Sequence, residues 1–133
     1  MAPRRGRAPA SSAFEIVRAA GRALPGVEDS VRYDGAHVLK ANGCFMAGLA
    51  THESAEPGTL VVRIDLDERQ WLLEEASETY YVTDYYRPHP VVLVRLSRID
   101  AGALRDLLSM SWRQTLAKAR RARPARSPRP LGR

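Results

Sequence analysis

Residues 36–50 of the chain read AHVLKANGCFMAGLA, two largely apolar segments joined by the dipeptide Asn42-Gly43. This dipeptide is typical of a type I′ turn, because both central positions of that turn require a positive φ. The segments on either side, 36–41 and 44–50, are therefore predicted to be the two strands of a hairpin. The rest of the chain can be interpreted outward from this hairpin.

On the N-terminal side, a second turn dipeptide, Asp34-Gly35, predicts another type I′ hairpin, with a strand at 30–33. Further upstream, apolar residues recur at helical spacing after Ser12, which begins a capping-box pattern. The sequence therefore predicts a first helix over 12–24, followed by a meander of three strands.

On the C-terminal side, five further elements are predicted from a strand-like period of two at 60–65, from helix-capping acids and from an apolar stripe. These are a strand at 60–65, a helix at 67–77 capped by Asp65, strands at 79–82 and 91–96, and a helix capped by Asp100 that runs to about Lys118. The strand at 91–96 is apolar at five of six positions, which predicts that both of its faces are covered.

The order α-β3/4-α-β2-α predicts an α+β domain: an antiparallel sheet of five or six strands with three helices packed mainly on one face. The apolar stripe of the last helix predicts that this helix is buried through Leu104, Leu108 and Trp112.

Charge is unevenly distributed along the chain. It has 21 lysines and arginines, 15 carboxylates and a net charge of +6. Ten of the cations and no carboxylates lie before residue 12 or after residue 117, so residues 12–117 carry a net charge of −4. Because both ends are rich in Pro and Ala and poor in large apolar residues, we predict disordered basic arms at 1–11 and 119–133, flanking a domain at 12–118. Such arms either solubilise the protein or contact a polyanion.

Several broad classes of protein are disfavoured by the composition. The single cysteine, Cys44, excludes an internal disulfide and a thiolate zinc site. No apolar run approaches the roughly 20 residues of a membrane helix, and no apolar stretch typical of a secretory signal follows Arg4 and Arg5. We therefore expect a cytoplasmic, monomeric protein that does not associate with membranes.

The sequence contains no pattern typical of catalysis. His37, His52, His89 and Cys44 lack the spacing of a metal site, and each is expected to be an ordinary strand, loop or turn residue. There is no nucleophile elbow, no cysteine beside a histidine and no phosphate-binding glycine loop. We predict that the protein is not an enzyme and has no cofactor or metal ion.

Tyrosines are concentrated at Tyr80, Tyr81, Tyr85 and Tyr86, just before Arg87. Aromatic rings followed by an arginine could stack on bases and hold a phosphate. Alternatively, two of the four rings pack under the sheet edge and their hydroxyls bond to loop backbone.

Arg63 and Arg95 are expected, from strand alternation, to lie on the sheet face opposite Leu60, Val62 and Ile64. This face is either a binding surface or a surface covered by the last helix, with the arginines paired to Asp65 or to a glutamate.

An ordered set of short motifs resembles the MmcQ/YjbR family over residues 14–118. The motifs are LPGVE at 24–28, Tyr33-x-Gly35, VLK at 38–40, FMA at 45–47, DER at 67–69, YVTDYY at 81–86, VLVRL at 92–96 and SWR at 111–113. The resemblance implies a fold similar to the CyaY-like and secretion-chaperone-like α+β domains. It also implies DNA binding through a "double wing" formed by the sheet and its hairpins.

Two functions are consistent with these observations. The first is DNA binding, with the basic arms adding phosphate contacts. The second is a protein-interaction or chaperone-like module without a nucleic-acid role. The net negative charge of residues 12–117 favours the second. No small-molecule ligand is predicted. The predicted nucleic-acid contacts are Lys40, Arg63, Tyr85, Tyr86, Arg87, Arg95, Arg113, Arg120 and Arg121.

Overall fold

Six strands form one antiparallel sheet in the computed structural model, which describes residues 10–122 and the side chains of 14–120. The strand order is β1-β2-β3-β4-β6-β5. In chain order the elements are α1 (Ala10–Arg22), β1 (Val27–Val31), β2 (His37–Ala41), β3 (Cys44–Leu49), β4 (Thr59–Arg63), α2 (Leu66–Glu75), β5 (Tyr80–Tyr81), β6 (Val91–Arg95) and α3 (Ala101–Ala122). Three helices and six strands confirm the predicted α+β class.

The two predicted hairpin turns differ in the structure. Asn42 and Gly43 have φ angles of 51° and 82°, as a type I′ turn requires. At the other turn only Gly35 has a positive φ, so the type I′ prediction there is wrong. Val31 pairs with His37, which leaves a five-residue loop, and the Asp34 carboxylate accepts the Ala36 N–H at 3.1 Å within it. This longer loop explains why β1 ends at Val31, two residues earlier than predicted; β1 begins at Val27, where it pairs with Ala41, three residues earlier than predicted.

The predicted starts of α2 and α3 agree with the structure, because in each case a capping side chain bonds to the first turn of its own helix. The Asp65 carboxylate accepts the Glu68 N–H at 2.9 Å, and the Asp100 carboxylate accepts the Ala103 N–H at 2.7 Å. The predicted cap at Ser12 is wrong, because α1 begins at Ala10 and Ser12 lies inside it.

The predicted end of α3 at Lys118 is four residues too early. Residues 10, 11 and 119–122, assigned to disordered arms from the sequence, are helical. The rest of both predicted arms, 1–9 and 123–133, lies outside the described residues. None of the three helices within 10–122 is long and apolar enough to span a bilayer.

The sheet has an inner face, which packs against α1 and α3, and an outer face. The inner face forms the main core, where the largest side chains are fully buried. Its central members are Phe14 and Val17 of α1, Leu39 of β2, Leu60 and Val62 of β4, Val92 and Val94 of β6, and Leu104, Leu107 and Leu108 of α3.

Trp112 departs from the predicted burial of α3. It is only half-buried at the margin of the core, where its indole N–H donates to the Pro25 carbonyl at 2.8 Å. This hydrogen bond joins the exposed edge of the ring to the loop after α1. Leu104 and Leu108 are buried as predicted.

The outer face carries a second, smaller apolar cluster formed by Val61, Val91 and Leu93. Its covering residues are Phe45 of β3, Tyr81 of β5 and members of the loops after β3 and β5; no helix within the described chain contributes. Residues 91–94 are nevertheless all buried, which confirms that β6 is covered on both faces. The outer face is therefore covered by loops and by side chains of its own strands rather than by a helix, and this cover is incomplete.

Candidate nucleic-acid interface

Arg63 and Arg95 both lie on the outer face, as strand alternation predicted, but at opposite ends of it. Arg63 pairs with Val91 and Arg95 with Thr59 in the β4–β6 ladder, so the two arginines are separated along the strands by about 13 Å. The expectation that the last helix covers this face is wrong, because α3 packs on the inner face.

The Arg95 end of the outer face is closed by internal contacts. The guanidinium donates to both carboxylate oxygens of Glu56 at 2.9 Å, and its Nη1 donates to the carbonyls of Ser77 and Glu78 at 3.2 Å. It also lies 4.3 Å from the centre of the Tyr81 ring. The hydrogen bond to Arg95 lowers the pKa of Glu56, and the same bond raises the pKa of Arg95. The alternative in which Arg95 pairs with a glutamate is thus confirmed, and four of its five N–H donors are already used.

The Arg63 end is open and contains a cleft of about 270 Å³, which we call the outer-face cleft. Its lining combines an apolar floor, an aromatic wall and a basic rim, and includes no carboxylate. The lining residues are Arg32, Phe45, Leu49, Val61, Arg63, Tyr85, Tyr86, His89, Pro90 and Val91.

Arg63 is held at the rim by one backbone contact. Its Nε donates to the Phe45 carbonyl at 3.0 Å, which fixes the plane of the guanidinium and leaves its two terminal nitrogens for other acceptors. Among the described residues no carboxylate lies within 4.0 Å of Arg63, whereas Arg32, the second rim arginine, has Asp34 at 3.7 Å.

The floor depends on a close approach at Gly48. A Cβ atom there would lie 2.8 Å from Val38 Cγ1 and 3.3 Å from Cε1 of the Phe45 ring. Because Gly48 carries no side chain, the Phe45 ring can lie against Gly48 of the same strand and form part of the floor.

The aromatic wall is a stack built by two loops. The His52 ring stacks on Tyr85 with centroids 3.5 Å apart and planes 9° apart, and Tyr86 meets Tyr85 edge-on at 5.0 Å. The Tyr86 hydroxyl accepts the His52 N–H at 3.4 Å. Tyr85 remains 53% exposed, so part of its ring is available to a ligand.

Arg69 of α2 anchors the loop that carries this wall. Its Nη1 lies 3.0–3.2 Å from the carbonyl oxygens of Arg87, His89 and Val91, spanning the end of the loop and the start of β6. Burial, and secondarily the nearby charge of Arg87, lower the pKa of Arg69. Arg69 is therefore a positioning residue: it shapes the cleft from outside its lining.

A second cleft, of about 280 Å³, adjoins the first and shares Arg63 and Pro90 with it. It leads to the exposed Lys118 near the end of α3. Its one carboxylate, Asp65, already accepts from Gln114 at 3.2 Å and from the Glu68 N–H. The cations that line the two clefts are thus Arg32, Arg63 and, near the end of α3, Lys118.

The structure describes the side chains of eight of the nine predicted contact residues, and of these eight Arg63, Tyr85 and Tyr86 line the outer-face cleft. The other five do not line it: Lys40 stands opposite Phe45 in the β2–β3 pairing, Arg87 is exposed and 3.7 Å from Asp84, Arg95 is paired as described, and Arg113 and Arg120 are exposed on α3. The ninth, Arg121, is helical, and its side chain lies outside the described set.

The alternative interpretation of the tyrosine cluster is confirmed in part. Tyr80 is buried in the main core, the Tyr81 hydroxyl accepts the Glu56 N–H at 2.8 Å, and the Tyr86 hydroxyl also accepts a loop N–H, that of His52. Sequence reasoning missed Arg32 and His89 at the cleft. Arg32 lies in the misassigned β1–β2 loop, and His89 had been interpreted only as a turn residue.

Within residues 10–122 no group of three or more His, Cys, Asp or Glu side chains is placed to hold a metal ion. No protein-family model and no curated protein matches the chain.

Proposed function

We propose that the protein binds DNA, with the outer-face cleft as the contact on the domain and the basic chain ends adding phosphate contacts. The observation that carries the proposal is the lining of the cleft. Two arginines, a histidine and two tyrosines converge there without a carboxylate. Guanidinium groups pair with phosphate oxygens, and aromatic rings stack on bases.

The net charge of −4 over residues 12–117 is compatible with this proposal, because no carboxylate lines the outer-face cleft; the carboxylates near its rim are Asp34, 3.7 Å from Arg32, and Asp65 of the adjoining cleft. Six of the fifteen lie in residues 65–78, in and around α2, and none lines the outer-face cleft. Local potential at a cleft depends mainly on nearby charges, since salt screens charges beyond about 8 Å at physiological ionic strength. The resemblance to the MmcQ/YjbR family supports the same function.

A second candidate is the protein-interaction module, and one observation favours it. The cleft floor is apolar, formed by Phe45, Val61 and Val91, and could accept an apolar side chain of a partner protein. This candidate needs no phosphate contact, so the affinity for the partner protein should not depend on the basic arms.

A salt titration separates the two candidates. Binding of the full chain to fluorescein-labelled single-stranded and duplex 20-mers is measured by anisotropy between 50 and 200 mM salt. The matched variant replaces the arm arginines by glutamine, which removes charge without shortening the chain; the positions are Arg4, Arg5, Arg7, Arg123, Arg126, Arg129 and Arg133.

We expect salt-sensitive binding by the full chain. We also expect a smaller slope of log K against log salt for the glutamine variant, with binding still measurable at 50 mM, because the cleft contacts remain. Loss of all binding in the variant would contradict the role of the cleft. An absence of salt-sensitive binding by the full chain would contradict DNA binding altogether and leave the interaction module.

A further inference from the structure

We infer that the outer-face cleft is a subsite for one unpaired nucleotide of a single strand, with its base against Tyr85 and a neighbouring phosphate at Arg63. This inference rests on the proposed function and specifies its ligand: single-stranded rather than duplex DNA.

The size of the cleft argues for one base. Its volume of about 270 Å³ is just below the roughly 300–1,000 Å³ of typical small-ligand sites, which suits a single aromatic ring system with its sugar partly outside. In a duplex every base is stacked and hydrogen-bonded to its partner, so none could enter a cleft of this size without being unstacked and unpaired.

The aromatic wall argues for stacking. His52 covers one face of the Tyr85 ring at 3.5 Å, so the exposed part of that ring lies on the side away from His52. A base placed there would extend an existing stack of two rings. Because Tyr86 packs edge-on against Tyr85, the ring is held in place before a ligand arrives.

The basic rim argues for a phosphate close to the stacked base. Arg63 borders both the outer-face cleft and the adjoining cleft, and its terminal nitrogens face no carboxylate within 4.0 Å among the described residues. A strand whose base enters the first cleft would therefore carry its phosphate past Arg63 toward Lys118. Duplex phosphates could contact the same rim but would leave the apolar floor and the tyrosines unused.

The test uses the full-length protein and three labelled probes at one low salt concentration: dT12, the same 12-mer with abasic residues throughout, and dA12·dT12 duplex. All three carry phosphates, and only dT12 offers unpaired bases. We expect dT12 to bind about five- to a hundredfold more tightly than the abasic strand, the range that stacking of one base provides. We also expect it to bind more tightly than the duplex.

The variant Tyr85→Ala should remove the preference for dT12 over the abasic strand, while Tyr85→Phe should retain it. Phe keeps the ring and its stack on His52, so this pair separates stacking from folding defects. The matched control is Tyr33→Ala, because Tyr33 is 97% exposed and does not line the cleft; it should leave all three affinities unchanged.

Equal affinity for dT12 and the abasic strand, or equal or tighter binding of the duplex, would overturn the inference and leave DNA binding through phosphates intact. Competition by free dTMP at the same nucleotide concentration as dT12 would overturn the assignment to a strand. Failure of all three probes to bind would instead contradict the proposed function itself.

Discussion

The two faces of the sheet are built from neighbouring residues of the same strands but differ in burial, in the elements that cover them and in charge. On the inner face, Leu60 and Val62 of β4 pack against helices in a continuous, fully buried core. On the outer face, Val61 belongs to a cluster of only three buried apolar residues, which no helix within the described chain covers and which Arg63 borders. The inner face therefore supplies most of the stability of the fold, whereas the outer face tolerates an open cleft.

The largest expected effect is on the inner face. Leu108→Ala removes a fully buried side chain of α3 and should lower the free energy of unfolding by about 2–5 kcal/mol, through lost burial and the cavity that remains. Urea denaturation measures the loss. Tyr85→Ala on the outer face removes a half-exposed ring from its stack on His52 and should lower the free energy of unfolding by only about 0.5–1.5 kcal/mol. Similar losses in the two variants would contradict the division of roles between the faces.

Arg69 contributes both to stability and to the shape of the cleft. Its removal should lower the free energy of unfolding by an amount between those of the two variants above. Arg69→Ala leaves the carbonyls of Arg87, His89 and Val91 without their charged donor, which should cost about 1.5–3 kcal/mol of stability. It should also weaken binding to dT12, because the loop bearing Tyr85 is no longer anchored. The control is Arg105→Ala, an exposed arginine of α3 that should leave stability and binding unchanged. Unchanged binding in a destabilised Arg69→Ala protein would show that the loop does not shape the cleft.

A smaller effect is expected from the ion pair at the closed end of the outer face. Arg95 lowers the pKa of Glu56 below its ordinary value of 4.5. A lowered pKa in the folded state means that the pair stabilises the protein above pH 4.5 and that this contribution is lost as the pH falls through the folded-state value. Glu56→Gln should therefore reduce stability at pH 7, and the difference from the unsubstituted protein should shrink in acid. A difference that is the same at pH 7 and pH 3 would contradict the assignment.

Features of the fold that depend on local chemistry were predictable from the sequence. Asn42-Gly43 forms its type I′ turn and Asp65 caps α2, because the required groups lie within four residues of one another. Asp34-Gly35 failed as a predictor because the Asp34 side chain bonds within a longer loop instead. Dipeptide statistics do not distinguish these two outcomes.

The site was only partly predictable, because its parts are distant in sequence. Strand alternation placed Arg63 and Arg95 on one face, since alternation is a property of each strand alone. It could not show that Glu56, 39 residues before Arg95, occupies that guanidinium. Nor could it show that Arg32 and the loop carrying Tyr85 meet over the same floor, since loop docking depends on tertiary packing.

The central claim is that the open end of the outer face contacts the ligand and the closed end does not. The most direct test is the salt dependence of dT12 binding in two arginine variants. Arg63→Ala should reduce the magnitude of the slope of log K against log salt by about 0.7, the value for one phosphate contact on a single strand. Arg95→Ala should leave the slope unchanged, because its guanidinium is already bound to Glu56. An unchanged slope in Arg63→Ala, or a reduced slope in Arg95→Ala, would contradict the account.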